Sequence, residues 1–302
     1  MNIGQVEKRS TNTLCSLLGY SRQSFYQYRQ QKEEEALQAD LLLQEVVLIR
    51  TAQKRLGARK LFFIMQRFLE EHNIQIGRDA FFDLLRKSNL LVRKRKRKRP
   101  NTTFSNHWMR KYDNLIIGFI PTSPNQVYVS DITYITLNEG FAYLSLVTDT
   151  YSRKIVGFCL SINLSADGCI QALEMAIANA SSDILIHHSD RGTQYCCLDY
   201  VAILTKNKIN ISMTQSGDPL ENALAERVNG ILKDELLENQ YLDFNSAKEA
   251  VAVAVSIYNQ QRPHSSIDML TPVQAYLRVG ELKKHWKNYY TYKKGKEAKA
   301  ME

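Results

Sequence analysis

Residues 127–162 read VYVSDITYITLNEGFAYLSLVTDTYSRKIVGFCLSI, and this stretch decides the fold class. Three runs, VYVSDITYI, FAYLSLVTD and KIVGFCLSI, are rich in β-branched and aromatic residues and are separated by the short polar turns at 138–140 and 150–153. Such runs joined by such turns predict three antiparallel neighbours. Beyond them the pattern alternates: a helix over 166–180, the apolar run ILIHHSD (184–190), a helix near 198–206, a short strand INISMT (209–214), and a loop SGDPLE (216–221) leading into a longer helix. A meander followed by alternating helix and strand predicts an α/β mixed sheet with helices on both faces.

Upstream the reading is all-α. TNTLCSLLGYSRQSFYQYRQ gives a short helix over 11–18, a turn at Gly19 and a second helix capped by Ser21. Leu14, Leu17, Leu18 and Phe25 form the candidate apolar seam of a helix-turn-helix, which leaves Arg22, Gln23, Tyr26 and Arg29 for DNA. An ordinary helical hairpin reads the same way. Residues 38–91 keep helical periodicity, with breaks near Gly57 and over 73–77 and apolar positions at Leu61, Ile64, Phe68, Phe81, Leu84 and Leu85. Seven adjacent cations follow: Arg93, Lys94, Arg95, Lys96, Arg97, Lys98 and Arg99. They repel one another and suit either a phosphate backbone or a solvated linker.

Charge is segregated. Residues 1–118 carry 23 Lys and Arg against 11 Asp and Glu, residues 119–280 carry 10 against 17, and residues 281–302 carry 7 against 3. Basic arms on both sides of an acidic middle suit a polyanion gripped at its flanks. The chain of 302 residues is long enough for two or more domains. Its five cysteines are odd in number and form no CxxC pair, and no apolar leader or long apolar run is present. A reducing, cytoplasmic setting with no membrane span is expected.

The acidic middle carries the candidate chemistry. Asp131 closes the apolar part of the first run, Asp190 ends the fourth ahead of the turn signal Arg191-Gly192, and Glu226 lies on the last helix. On that helix Asn222, Glu226, Asn229 and Lys233 share one face, while Leu224, Val228 and Ile231 share the other. Taken singly each acid has an ordinary reading as a turn residue or a surface charge. Together, two carboxylates at strand ends and a third on a helix can meet at one point, where a divalent metal is the cheap way to hold them. Two Mg²⁺ or Mn²⁺ ions roughly 3.5 to 4 Å apart would serve displacement at a phosphodiester, with Lys233 on the DNA backbone beside it.

Other chemistries fit less well. His187, His188, Ser189 and Asp190 are neighbours on one strand, so they point to opposite faces and cannot relay a proton. Cys196 and Cys197 lack zinc spacing, and there is no GxxxxGK[ST] loop.

The motifs resemble the DDE transposases of bacterial insertion sequences, in the group whose catalytic core is similar to retroviral integrase. The resemblance runs through Asp131-Ile132-Thr133-Tyr134-Ile135, His188-Ser189-Asp190-Arg191-Gly192 with Gln194-Tyr195, and Asn222-Ala223 with Glu226, separated from Asp190 by the family's interval of thirty-five residues, then Lys233, Tyr258-Asn259, Arg262-Pro263-His264 and Thr271-Pro272. It implies an RNase H-like core with Asp131, Asp190 and Glu226 as catalytic metal ligands for Mg²⁺ or Mn²⁺. It implies release of a 3′ hydroxyl at the element's end and its attack on target DNA, recognition of terminal inverted repeats, action as a multimer, and often fusion to an upstream reading-frame partner. Arg262 and His264 are expected among the DNA contacts, and the bacterial cytoplasm, on the nucleoid, is the expected location. Departures are Glu221 for the usual Asp, Tyr128 for a common Trp, and Val228 and Asn229 where an aromatic is more usual. Asp149 matches a family position that looks structural.

The expected organisation is a helix-turn-helix unit (1–37), a second small helical DNA-binding unit (38–92), a basic linker (93–118), the catalytic core (119–280) and a basic tail (281–302). In the tail Trp286, Tyr289, Tyr290 and Tyr292 alternate with lysines, which suits either base stacking or a solubilising end. The rival functions are an RNase H-like nuclease that only hydrolyses, and a DNA-binding regulator whose core no longer turns over.

Overall fold

Glycine, asparagine and serine punctuate the helical segment as the sequence suggests. The structure, a computed structural model, describes residues 11–93, 107–180, 183, 185–215 and 219–285, without the side chains of Asn12, Leu14, Pro219 and Leu220. Among these, 11–52 with 57–92 make one compact unit, and 53–56 with the residues from 93 onward make the other.

The first unit is all helical: α1 (Thr11–Leu17), α2 (Arg22–Ala52), α3 (Ala58–Ile64), α4 (Gln66–Glu71) and α5 (Arg78–Lys87). Ser21 caps α2, its Oγ accepting from the Ser24 amide at 3.1 Å. Gly57 and Gly77 are the N-caps of α3 and α5, and Asn73 takes φ 50 between α4 and α5. The boundary expected at residue 37 falls inside α2. No Gly or Pro stands between Arg22 and Ala52, and surface pairs such as Arg29–Glu33 at 2.9 Å support the helix across that point. The core of this unit holds Leu42, Val46, Leu61, Met65, Leu69, Phe81 and Leu85.

The second unit is built on β1 (Val127–Thr136), β2 (Phe141–Asp149), β3 (Ile155–Ser161), β4 (Ile186–Ser189) and β5 (Asn210–Met213), in the order β3-β2-β1-β4-β5. The first three strands are antiparallel, and β4 and β5 add on parallel to β1. This is the RNase H-like mixed sheet. Between and after the strands come α6 (Ala166–Ala178), α7 (Thr193–Cys196), α8 (Leu198–Lys206), a 3₁₀ turn (Pro219–Asn222), α9 (Ala223–Ile231), a π turn (Leu232–Leu236), α10 (Phe244–Gln260) and α11 (Pro272–Tyr276).

Strand alternation sorts the side chains into two cores. Tyr128, Val147 and Val156 pack with Cys169, Leu173, Tyr195, Tyr200 and Leu204 from α6, α7 and α8. Ile135, Leu144, Leu146 and Ile155 pack with Val228 and Ile231 of α9 and Val251, Val255 and Tyr258 of α10. Gly157 lets α6 lie directly on the sheet: a Cβ there would stand 1.9 Å from the Ala172 carbonyl oxygen. The edge strand β3 is sealed by Asn259, whose Oδ1 accepts from the Ile155 amide and whose Nδ2 donates to the Ile155 carbonyl, both at 2.9 Å. No helix among the described residues is long and apolar enough to cross a membrane.

Candidate active site

Parallel pairing of β1 with β4 fixes where the first two acids stand. Val127 pairs with Ile186, Tyr128 with His187 and Val129 with His188. Two residues further on, Asp131 comes level with Asp190, just past the end of β4. Matched residues on neighbouring parallel strands, about 4.8 Å apart, project to the same face. For these two it is the face that α9 covers.

Asp131 is held on both oxygens. Its Oδ1 accepts from the Ile132 amide at 2.9 Å, and its Oδ2 accepts from Asn229 Nδ2 at 2.7 Å. Burial first, and the neighbouring Asp190 carboxylate second, push the Asp131 pKa up to about 7. The Asn229 and Ile132 donors oppose that rise, and Glu226 adds a smaller push upward. Asp190 is fixed by an Asx turn in which Oδ1 accepts from the Gly192 amide at 3.0 Å. A Cβ on Gly192 would lie 3.0 Å from that same oxygen, so glycine lets the turn close.

Glu226 stands in the first turn of α9 and is exposed. The asparagines one turn before and one turn after it anchor the helix to β1. Asn222 Nδ2 donates to the Ser130 carbonyl at 3.1 Å, and Asn229 reaches Asp131. Both asparagines are buried, and their Oδ1 atoms find no hydrogen-bond partner among the described residues. Glu226 therefore shares the helix face that lies over the end of β1. Its carboxylate is not closed onto the aspartates: among the described residues no three His, Cys, Asp or Glu side chains come near enough together to hold one metal ion. The structure brings two level aspartates together with the glutamate on the adjacent helix face, and does not bring the three carboxylates within reach of one ion.

The donor set fits a divalent cation. Carboxylate oxygens are hard ligands, each Asp131 oxygen spends only one lone pair within the protein, and the raised Asp131 pKa marks a place where positive charge is favoured.

A buried histidine ties these parts together. His188 Nδ1 lies 2.8 Å from Ser212 Oγ on β5, and its Nε2 donates to the Glu221 carbonyl at 3.1 Å. It thus links the strand leading to Asp190 with the turn that starts the Glu226 helix. Burial lowers its pKa to about 4. His187 points the other way, its Nε2 within 2.8 Å of Ser130 Oγ and 2.9 Å of Tyr200 OH, and burial lowers it to about 3. The opposite facing of this pair is what excluded a proton relay. Asp149, buried at the end of β2, accepts from the Asn125 amide at 2.9 Å and the Ser152 amide at 2.7 Å, which makes it a turn-holding residue.

Two residues expected among the DNA contacts are buried in this structure. Arg262 is fully buried, with Nε and Nη2 each 2.8 Å from the Glu235 carboxylate and Nη1 3.0 Å from His264 Nε2. His264 is buried as well, edge-on to Tyr258 with ring centroids 4.9 Å apart. Sequence shows a basic motif but not that Glu235, 27 residues earlier, would claim it. Lys233 lies on the π turn, where the helical phase slips, and its Nζ sits 3.7 Å from the Tyr134 ring centroid and 3.3 Å from Thr133 Oγ1.

Arg22, Gln23, Tyr26 and Arg29 are exposed at the start of α2, with Arg29 ion-paired to Glu33. Of the apolar seam expected beside them, Leu17, Leu18 and Phe25 are 65%, 69% and 41% exposed, and the side chain of Leu14 lies outside the described residues; Cys15 of α1 is buried. Of the basic run, Arg93 is described and accepts on its carbonyl from Arg55 Nη2 at 2.6 Å. Lys94, Arg95, Lys96, Arg97, Lys98 and Arg99, with Trp286, Tyr289, Tyr290 and Tyr292 of the tail, lie outside the described residues. All five cysteines are free thiols.

A family model described as "Integrase core domain" matches residues 121–219, and a second of the same description matches 207–272. A 31 kDa protein of insertion element IS600 from Shigella sonnei, itself uncharacterized, is 37% identical over 268 residues, covering 86% of this chain and 96% of that one. A candidate transposase of the insertion sequence IS986/IS6110 from Mycobacterium tuberculosis is 30% identical over 226 residues, 72% of this chain and 80% of its own. Among solved structures, the HTLV-2 integrase catalytic core domain in complex with magnesium aligns at a TM-score of 0.43 and 20% identity, over 52% of this chain and 99% of that one. With an integrase core at 121–272 and relatives matched over most of their length, the chain belongs to the DDE transposases of bacterial insertion sequences.

Proposed function

We propose that this chain is the DNA transposase of an insertion sequence, a polynucleotidyl transferase that frees a 3′ end and joins it to target DNA. The observation that carries the reading is the level placement of Asp131 and Asp190 beneath the helix face that bears Glu226, inside an integrase core. Asp131 and Asp190 would hold Mg²⁺ or Mn²⁺, with Glu226 completing the set from α9. Divalent cations bound there would supply Lewis-acid stabilisation of charge at the reacting phosphate.

The protein's own residues do the positioning. Asn229 and the Ile132 amide fix the rotamer of Asp131, the Gly192 turn fixes Asp190, and His188 and Asn222 hold the Glu226 helix to the same strand ends. Lys233, parked on Tyr134, is a cation that a phosphate near the site could claim. Arg22, Gln23, Tyr26 and Arg29 would read the terminal inverted repeats, and the cations at 93–99 would grip the backbone. The enzyme would act as a multimer on DNA in the bacterial cytoplasm, with fusion to an upstream-frame partner as a further expectation of the family.

The test is Asp190→Asn on a duplex carrying the element's own end with Mn²⁺. Cleavage should be abolished while end binding stays within about threefold, because metal ligation is lost and the basic arms are untouched. Retained cleavage would place the chemistry elsewhere. Supplying a pre-cleaved end separates a transposase, which joins it, from a nuclease on the same fold.

A further inference from the structure

Trp108 is 91% exposed, the most exposed of the large hydrophobic residues described. It does not hang on a free end. Residues 107–115 run as a strap across the catalytic unit, pinned at three points. His107 Nε2 donates to the Arg191 carbonyl at 2.7 Å, one residue from Asp190. The Asp113 carbonyl accepts from the Met213 amide at 3.3 Å, and the Leu115 amide donates to Ser212 Oγ at 2.9 Å. Between these points Met109 and Tyr112 turn inward onto the core around Tyr195 and Met213. Trp108, Arg110 and Lys111 turn outward.

The strap therefore holds an indole and two cations on the outer surface beside the turn that carries Asp190. Arg110 is steadied over the Tyr112 ring, 5.0 Å from its centroid. Lys111 and Arg191 act on the same Cys196 thiol that Asp190 influences, which puts them within electrostatic reach of one another around α7. A large apolar ring left in water is unfavourable by the area it exposes, and here the backbone bonds prevent it from folding back. An aromatic face flanked by cations suits a base flanked by phosphates.

We infer that Trp108 is a DNA-positioning residue whose indole stacks on an unpaired base beside the scissile phosphate, while Arg110 and Lys111 pair with the neighbouring backbone. The inference rests on the transposase reading above. It adds a substrate form: the DNA at the site is frayed, with at least one base out of its pair. Met109 and Tyr112 anchor the strap and touch no DNA.

The test uses the full chain with two probes, a fully paired duplex and a forked duplex with 2-aminopurine at its first unpaired position, read by fluorescence quenching and anisotropy in the absence of divalent metal. The parent chain and Trp108→Phe should quench 2-aminopurine, and Trp108→Ala should not. Base stacking on an aromatic is worth about 1 to 3 kcal/mol, so Trp108→Ala should weaken forked-DNA binding roughly 5- to 100-fold and paired-duplex binding less than twofold. Quenching retained by Trp108→Ala, no quenching by the parent, or equal loss on both probes would each overturn the inference. Cleavage by the parent chain with Mn²⁺ is scored separately. Quenching without cleavage would sink the transposase reading and leave the stacking site standing.

Discussion

Asn229 Nδ2 lies 2.7 Å from Asp131 Oδ2, so a helix residue one turn beyond Glu226 holds the carboxylate expected to be the first metal ligand. As a donor, Asn229 opposes the rise of the Asp131 pKa. Asn229→Leu should weaken Mn²⁺ binding roughly tenfold or more, measured by calorimetry on the full chain. Folding stability should fall as well, by about 1 to 3 kcal/mol, because the buried Asp131 carboxylate loses a donor. Unchanged affinity would make the bond incidental.

Asp131 bears a cost in the absence of metal. Its folded pKa, about 7, is above the usual carboxylate value, so the penalty is absent at low pH and complete above pH 7. Asp131→Asn should therefore stabilise the metal-free protein at pH 8 by on the order of 1 kcal/mol after solvent screening, read as a higher melting temperature. The advantage should vanish near pH 4. Mn²⁺ should raise the melting temperature of the parent and not of the variant. A variant less stable than the parent at pH 8 would contradict the penalty set by burial of the Asp131 carboxylate beside Asp190.

The buried Arg262 guanidinium and the partly buried Glu235 carboxylate form a two-bond pair. Arg262→Met removes the guanidinium from the Glu235 carboxylate and should cost about 3 kcal/mol in urea unfolding. Glu235→Gln should be milder, because it keeps a hydrogen-bonding side chain against the guanidinium. If Arg262→Met instead lowered DNA affinity at unchanged stability, the residue would be a DNA contact after all.

His187 is neutral in the fold, its pKa lowered to about 3 by burial against an ordinary value of 6.5. The unfolded chain binds its proton first, so this histidine's contribution is intact above about pH 6.5 and is lost as pH falls towards 3. His187→Gln should give a flatter acid limb than the parent in denaturant midpoints between pH 7 and 4. Parallel limbs would mean that His187 is protonated in the folded protein.

The sheet was legible because its signals are local. The turns at 138–140 and 150–153 and the alternation along 127–162 fix three strands, and Arg191-Gly192 marks the end of the fourth. The level placement of Asp131 and Asp190 needed the parallel register, which sequence does not carry. The roles of His188, Asn222 and Asn229 depend on what faces them across the core, and a polar stripe on a helix reads as solvated until its partners are known. The same ignorance of partners put Arg262 and His264 on DNA when Glu235 and Tyr258 bury them. Long-range pairing decides each of these cases, and only the folded chain supplies it.

Glu226 is the member of the trio that stands exposed on a helix and not at a strand end, so its substitution tests the shared metal site most directly. The measurement is the Mn²⁺-dependent cleavage rate of Glu226→Gln on a duplex bearing the element's end, beside its affinity for the same duplex. The expected result is a rate reduced roughly a thousandfold or more with affinity nearly unchanged. A rate within tenfold of the parent would contradict a catalytic centre built from Asp131, Asp190 and Glu226.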